Sequence, residues 1–334
     1  MSESVRVGLN GFGRIGRNVF RASLANDNVE VVGINDVMDD SEIDYFAQYD
    51  TVMGELEGAS VDDGVLTVEG TDFEAGVFHE TDPTQLPWDD LDVDVAFEAT
   101  GIFRTKEDAS QHLDAGADKV LISAPPKGDE PVKQLVYGVN HDEYDGEDVV
   151  SNASCTTNSI TPVAKVLDEE FGINVGQLTT VHAYTGSQNL MDGPNGKPRR
   201  RRAAAENIIP TSTGAAQATT EVLPELEGKL DGMAIRVPVP NGSITEFVVD
   251  LDDDVTESDV NAAFEAAAAG ELEGVLGVTS DNVVSSDILG DPYSTQVDLQ
   301  STNVVGGMTK ILTWYDNEYG FSNRMLDVAE YITE

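Results

Sequence analysis

The sequence contains a single cysteine, Cys155, among 334 residues. An intrachain disulfide is therefore impossible, and so is a zinc site built on cysteine ligands. Basic residues are also scarce: 19 Lys plus Arg, eight of them Lys, stand against 62 Asp plus Glu, a formal net charge of −43. Nucleic acids and anionic membranes are bound through basic faces, so this balance argues against a general role on either. No uninterrupted apolar stretch approaches the ~20 residues of a membrane span. The opening Met1-Ser-Glu-Ser lacks the basic and apolar regions of a signal peptide. Together these absences predict a soluble, cytoplasmic protein.

What is present is an ordinary core. Hydrophobic residues make up 40% of the chain, and apolar runs such as Val29–Ile34 and Val93–Phe97 recur, so the acidity does not signal disorder. The length suits two domains. Asp and Glu are spread from Asp36 to Glu334 rather than gathered in one patch, as a basic partner would require. At ~1 M salt the Debye length is about 3 Å, and self-repulsion becomes tolerable. The pattern reads as adaptation to concentrated salt, with the carboxylates on solvent faces.

The first half alternates strands and helices. Val5–Leu9 and Val29–Asn35 read as strands around a helix over about Arg14–Ala25; Val93–Glu98 and Lys119–Ser123 flank another over about Lys106–Ala115. Such alternation implies a parallel sheet covered on both faces. Gly58–Phe78 reads as hairpins with a turn at Asp63-Gly64. After Cys155 a helix runs to about Glu170, with Pro162 expected to bend it or to leave its early turns irregular. Strands Leu178–His182, Met233–Val239, Ile244–Leu251 and Met308–Trp314 then predict a largely antiparallel sheet. Thr256 and Asp259 form a capping-box pattern, and a last helix covers about Ser322–Ile332. Asp250–Asp254 lacks the glycine and spacing of a calcium loop, and no metal site is expected.

Two segments carry chemistry. Gly11, Gly13 and Gly16 have Gly-x-Gly-x-x-Gly spacing between a strand and a helix, and Asp36 follows twenty residues beyond Gly16 at the end of the next strand. That context predicts a dinucleotide site: glycines for close approach to the pyrophosphate, a helix N-terminus for its charge, and an acid for the adenosine ribose. Ser151-Asn-Ala-Ser-Cys155-Thr-Thr-Asn158 places the thiol at a helix start, where the dipole and free N–H groups are expected to lower its pKa. His182, at a strand end, is its candidate base; His79, His112 and His141 are expected to be solvated. Five of the nineteen basic residues fall in Lys197–Arg202. Arg236 lies alone in an apolar strand and needs an anionic partner or ligand.

These residues resemble the phosphorylating glyceraldehyde-3-phosphate dehydrogenases. The resemblance spans essentially the whole chain: Asn10–Arg17, Ser151–Asn158, Pro210-Thr-Ser-Thr-Gly-Ala-Ala216 and Trp314-Tyr-Asp-Asn-Glu-Tyr-Gly320. It implies an α/β Rossmann-type doubly wound NAD-binding domain (1–154 plus 319–334) and a catalytic domain on a largely antiparallel sheet (155–318). It also implies a homotetramer in which a loop over about Ala183–Ala205 reaches a neighbour's cofactor. Cys155 would be the nucleophile and His182 its base. Arg14, Ile15, Asp36, Ser123 and Asn317 would contact NAD. Thr185 and Arg236 would hold the substrate phosphate of glyceraldehyde 3-phosphate, and Ser154, Thr156, Arg200, Thr213 and Gly214 would receive inorganic phosphate. Thr81 stands where a basic residue is frequent, Ser159 where a second cysteine is common, and Phe321 where tyrosine is frequent. Two alternatives stand beside this reading: an erythrose-4-phosphate dehydrogenase of the same fold, and an RNA-binding protein using Arg199–Arg202.

Overall fold

The structure, a computed structural model, describes residues 4–334. Met1–Glu3, on which most of the signal-peptide reading falls, lie outside the described residues. The chain forms two compact units. One comprises the residues up to Leu135 with His141–Ser154 and Ser322–Glu334; the other comprises Val136–Asn140 and Cys155–Phe321.

In the first unit the elements are β1 (Val5–Asn10), α1 (Arg14–Ser23), β2 (Val29–Asn35), α2 (Asp40–Gln48), the short pair β3 (Tyr49–Asp50) and β4 (Gly54–Glu55), β5 (Ala59–Asp62), β6 (Val65–Val68), β7 (Glu74–Phe78), β8 (Val95–Glu98), α3 (Lys106–Ala109), α4 (Gln111–Asp114), β9 (Lys119–Ile122), β10 (Lys133–Gln134) and β11 (Val149–Ser151). Strand order is β10-β11-β9-β8-β1-β2-β7-β6-β5. The pairs from β10 through β7 are parallel, and β5, β6 and β7 close the edge antiparallel. The chain winds outward from β1 in both directions, which makes the crevice beyond β1 and β8 a topological switch point. Asp63 and Gly64 both take positive φ, 49° and 76°, as a two-residue hairpin turn needs. Trp88 is fully buried, and a Cβ on Gly8 or Gly33 would meet its ring at 3.0 and 2.9 Å, so both glycines are required beneath the indole.

Two local readings change. The helix expected over Lys106–Ala115 is two short ones, broken at Ser110, whose hydroxyl bonds back to the Lys106 carbonyl at 2.7 Å. The helix α2 lay unread inside an acidic run, although Asp39 and Glu42 form a capping box at its start.

The second unit contains α5 (Cys155–Phe171), β12 (Ile173–Ala183), β13 (Ile209–Thr211), α6 (Ala215–Val222), β14 (Leu230–Val237), β15 (Ser243–Leu251), α7 (Glu257–Ala268), β16 (Leu276–Thr279), β17 (Thr295–Asp298), β18 (Asn303–Val305) and β19 (Met308–Tyr315). The last helix, α8 (Tyr319–Thr333), passes into the first unit at Ser322. The sheet order is β13-β14-β12-β15-β19-β17-β16, largely antiparallel except for β12/β14 and β16/β17. Residues alternate along β15 and β19: Phe247, Val249 and Ile311 are buried, while Ile244, Val248, Leu312 and Trp314 stay half-exposed on the other face. The helix α5 continues through Pro162 to Phe171.

Carboxylates such as Asp89, Asp90, Asp142 and Asp252–Asp254 are exposed, as expected of solvent-face acids. Lowering potassium chloride from molar to ~0.1 M lengthens the Debye length to about 10 Å and lets these charges repel. We expect loss of native circular dichroism in that range, and retention of the fold in dilute buffer would refute the salt-adaptation reading.

Candidate active site

The first unit sets its nucleotide-site candidates at the C-terminal ends of parallel strands. Gly11, with φ 104°, follows β1; a Cβ there would lie 2.7 Å from the Thr100 amide nitrogen. A Cβ on Gly16 would strike the Gly11 carbonyl at 1.9 Å, so the loop closes on itself only with glycine. Gly13 has open space and starts α1 without a side-chain cap, leaving that helix N-terminus free for an anion. Ile15 sits half-buried in the first turn of α1. Asp36 immediately follows β2; its Oδ2 accepts from Phe12 N at 2.6 Å and its Oδ1 from Met38 N at 3.1 Å. Ser123 follows β9 and donates its amide to the Glu98 carbonyl at 3.0 Å. The residues present fit a dinucleotide pyrophosphate and ribose. Arg14 differs from a free ligand: its guanidinium pairs with Asp50, whose carboxyl burial raises but amides of Met53 and Val52 and Arg14 pull down to about 2.

His112 overturns the expectation of a solvated imidazole. It is fully buried, accepting from Trp88 Nε1 at 3.1 Å and facing Glu98 Oε2 at 3.3 Å. His79 is exposed and pairs with Asp40 at 2.9 Å. Its environment raises its pKa although burial opposes, through hydrogen bonds to Asp40 and the backbone.

In the second unit, Cys155 is the first residue of α5, and its Sγ lies 3.4 Å from Nε2 of His182 on β12. Ser154 is joined to it across the preceding peptide bond. Parallel pairing of β12 with β14 sets His182 opposite Arg236. Arg236 Nη1 lies 2.9 Å from His182 Nδ1 and donates to the Ala183 carbonyl at 2.8 Å. His182 Nδ1 is itself 2.7 Å from that carbonyl, so a proton on Nδ1 leaves Nε2 free to accept from the thiol. Burial, then the Arg236 charge, pushes the imidazole down to about 3. Burial also pushes the thiol up, against Arg236 and hydrogen bonds at Thr156. The helix start therefore does not produce the expected depressed thiol in the free chain: the loss of water around half-buried Cys155 outweighs it.

A cationic cluster adjoins this pair. Arg200 donates to Thr211 Oγ1 at 3.2 Å and to Ser187 Oγ at 3.0 Å, and Ser187 meets Thr185 Oγ1 at 2.8 Å. Lys197 Nζ donates to Ser212 Oγ at 3.1 Å. Burial and then mutual repulsion lower the pKa of Arg200 and Lys197, and burial lowers that of Arg236. None of the three makes an ion pair with a carboxylate among the described residues. Thr213 Oγ1 accepts from Ala215 N at 3.1 Å, and Gly214 starts α6 with no side-chain cap. Asn317 is buried and accepts from Ser243 Oγ at 2.8 Å, whose oxygen in turn takes the Ala183 amide at 3.1 Å. The sequence did not single out Ser187 or Tyr315. Tyr315 is buried with its ring edge against His182, and its hydroxyl bridges Thr180 and Thr156 at 2.8 and 3.1 Å. Burial raises that phenol to about 12. The one signal for it was its place in the Trp314–Gly320 motif.

Known proteins decide the family. The sequence model described as glyceraldehyde 3-phosphate dehydrogenase, NAD binding domain, matches residues 5–106, and that of the C-terminal domain matches 154–317. The chain belongs to the glyceraldehyde-3-phosphate dehydrogenase family. It is 96% identical over 334 residues, the whole of both chains, to the glyceraldehyde-3-phosphate dehydrogenase of the halophilic archaeon Haloarcula vallismortis. It is 52% identical to glyceraldehyde-3-phosphate dehydrogenase 2 of Streptomyces avermitilis and 51% to glyceraldehyde-3-phosphate dehydrogenase 1 of Bacillus subtilis, covering 98% and 99% of each chain. Membership in this family favours neither the erythrose-4-phosphate nor the RNA-binding reading.

For this family member, one thiol per chain should alkylate. Its rate should rise with pH without an imidazole inflection between pH 5 and 8, because His182 stays neutral until pH falls toward about 3. An inflection near 6 would overturn that assignment. The same depression means that stability declines as pH falls from the unfolded value of 6.5 toward about 3, since the unfolded chain protonates first. Arg236→Leu should slow alkylation at pH 8 by roughly three- to tenfold, as the thiolate loses its adjacent cation.

Proposed function

We propose that the protein is an NAD-dependent phosphorylating glyceraldehyde-3-phosphate dehydrogenase of glycolysis or gluconeogenesis, working in the cytoplasm as a homotetramer. Residues 1–154 with 319–334 would bind NAD and 155–318 would carry the chemistry. The observation that carries this reading is the Cys155–His182 pair at 3.4 Å beside three cations without carboxylate partners. The half-exposed apolar face of Ile244, Val248, Leu312 and Trp314 supports burial against further copies.

In this reading the Cys155 sulfur adds to the aldehyde carbon of glyceraldehyde 3-phosphate while His182 Nε2 takes the thiol proton. The same imidazole, now protonated, stabilises the hemithioacetal oxyanion and gives it the proton; neutral again, it takes that hydroxyl proton back as the carbon is oxidised. NAD, when bound, supplies the hydride acceptor for that oxidation. Arg236 and Thr185 hold the substrate's own phosphate, which answers the half-buried guanidinium. Arg200, Thr213, Gly214, Thr156 and Ser154 hold inorganic phosphate for attack on the thioester, giving 1,3-bisphosphoglycerate. Gly11, Gly13, Arg14, Ile15, Gly16, Asp36, Ser123 and Asn317 bind the cofactor. NADH formation should require inorganic phosphate and favour glyceraldehyde 3-phosphate over erythrose 4-phosphate; phosphate-independent turnover would defeat the proposal.

Cofactor choice follows from Asp36. At ~5 Å and an effective dielectric of ~20, a 2′-phosphate charge is repelled by roughly 3 kcal/mol before screening. In molar salt the Debye length is only ~3 Å, so discrimination rests on the ribose hydrogen bond and on shape. Asp36→Asn keeps an acceptor for Phe12 N–H. We expect it to shrink the NAD-over-NADP ratio of kcat/KM about tenfold, or 1.4 kcal/mol. An unchanged ratio across a salt series would remove Asp36 from cofactor selection.

A further inference from the structure

A chain of buried polar side chains runs beneath the nucleotide loop and takes no part in the chemistry above. Glu98, Asn10, Asn35 and His112 are 0–3% exposed, at the C-terminal ends of β8, β1 and β2 and on α4. Glu98 Oε1 accepts from Thr100 N at 2.9 Å and from the Thr100 hydroxyl. Glu98 Oε2 accepts from Asn10 Nδ2 at 2.7 Å, and Asn10 Oδ1 accepts from Asn35 Nδ2 at 2.7 Å. Asn35 Oδ1 accepts from Glu80 N at 2.8 Å. We propose that Glu98 is a positioning residue for the dinucleotide, its carboxylate fixing the hydrogen-bond direction along this chain and thereby the placement of Gly11 and Asp36.

The reason lies at the two ends. Thr100 N and Glu80 N are backbone donors and cannot reverse, whereas amides such as Asn10 and Asn35 each give and take. A line of hydrogen bonds that begins and ends on fixed donors needs one member that only accepts. An ionised carboxylate is that member, and a neutral amide is not. His112 adds a further donor: Trp88 Nε1 can only donate, so His112 Nδ1 accepts and its Nε2 carries the proton toward Glu98 Oε2. The desolvation of a buried carboxylate is offset here by these four donors.

What the chain holds is the nucleotide loop. Gly11 lies so close to Ala99 and Thr100 that a Cβ would meet their backbone at 2.7–2.8 Å, so the Thr100 position set by Glu98 is the wall behind the loop. Gly11 N donates to the Asn35 carbonyl at 2.7 Å, and Asp36 is the next residue. The inference rests on the NAD reading of this unit.

The test measures NAD affinity directly, by calorimetry on the full-length enzyme in molar potassium chloride, together with KM and kcat. Wild-type protein that fails to bind NAD would sink the cofactor reading itself. Given wild-type binding, Glu98→Gln should weaken NAD binding and raise its KM about tenfold with kcat within twofold, because one buried donor is left facing another. Asn10→Asp in the Glu98→Gln background moves the acceptor-only group one place along the line. That double variant should recover affinity to within about threefold, a rescue that simple loss of packing would not give. Unchanged affinity in Glu98→Gln overturns the proposal. So does a double variant that fails to recover binding, whether or not Glu98→Gln alone folds.

Discussion

A half-buried guanidinium without a carboxylate partner organises the catalytic unit. Arg236 stands on β14 opposite His182, and its Nη1 shares the Ala183 carbonyl with the imidazole. Its Nε has no hydrogen-bond partner among the described residues. One positive charge therefore acts on both members of the reactive pair: it lowers the thiol and lowers the imidazole. The first effect favours a nucleophile, while the second weakens the base. An anion held by Arg236 cancels the charge and returns proton affinity to His182, so a site that binds phosphate there becomes more basic when filled. The arginine cannot be answered by a local Asp or Glu without losing this property, and in a chain with 62 acids the absence of one is informative.

Sequence patterns revealed most of the frame because the relevant constraints are local. The Gly11, Gly13 and Gly16 spacing reflects backbone approach within one loop, and the structure shows Gly16 pressed on Gly11 at a distance no Cβ permits. Asp63-Gly64 and the Thr256–Asp259 box are similarly local, and both form. What was not legible depends on neighbours remote in sequence. His112 looked solvated among Glu107, Asp108 and Asp114, yet its burial is set by Trp88 and by Glu98, fourteen or more residues away. The thiol pKa failed for the same reason: the helix start is visible in the sequence, but the desolvation that outweighs it is a property of packing. Tyr315 reaches Thr156 across 159 positions, and no spacing rule announces that contact.

The overall charge and the working charges obey different physics. Exposed carboxylates interact through solvent and are screened within a few ångströms at ~1 M salt. The Arg236–His182 contact at 2.9 Å and the Cys155–His182 contact at 3.4 Å are shorter than or comparable with that length. Salt can thus relieve the −43 charge without disturbing the reactive pair. Lys197, Arg200 and Arg236 remain an island of uncompensated positive charge on an acidic background, which draws small anions more effectively than large polyanions that must also meet the surrounding acids.

The few buried acids serve geometry instead. Asp316 is 1% exposed; its Oδ1 accepts from Asn241 Nδ2 and from Glu318 N and Tyr319 N, all at 2.8 Å, and its Oδ2 accepts from Gly290 N at 2.8 Å. It gathers donors at the start of α8 as Glu98 gathers them at the end of β8. Asp50 does likewise for the amides of Val52 and Met53, both at 2.9 Å, and for Arg14. In each case backbone N–H groups that cannot turn converge on one point, and only a carboxylate accepts from all of them without offering a proton of its own. A chain adapted by adding acids to its surface therefore keeps its interior acids for a separate reason. Replacing them by amides preserves size and removes the charge, yet it reverses a donor direction that the surrounding backbone cannot reverse in return.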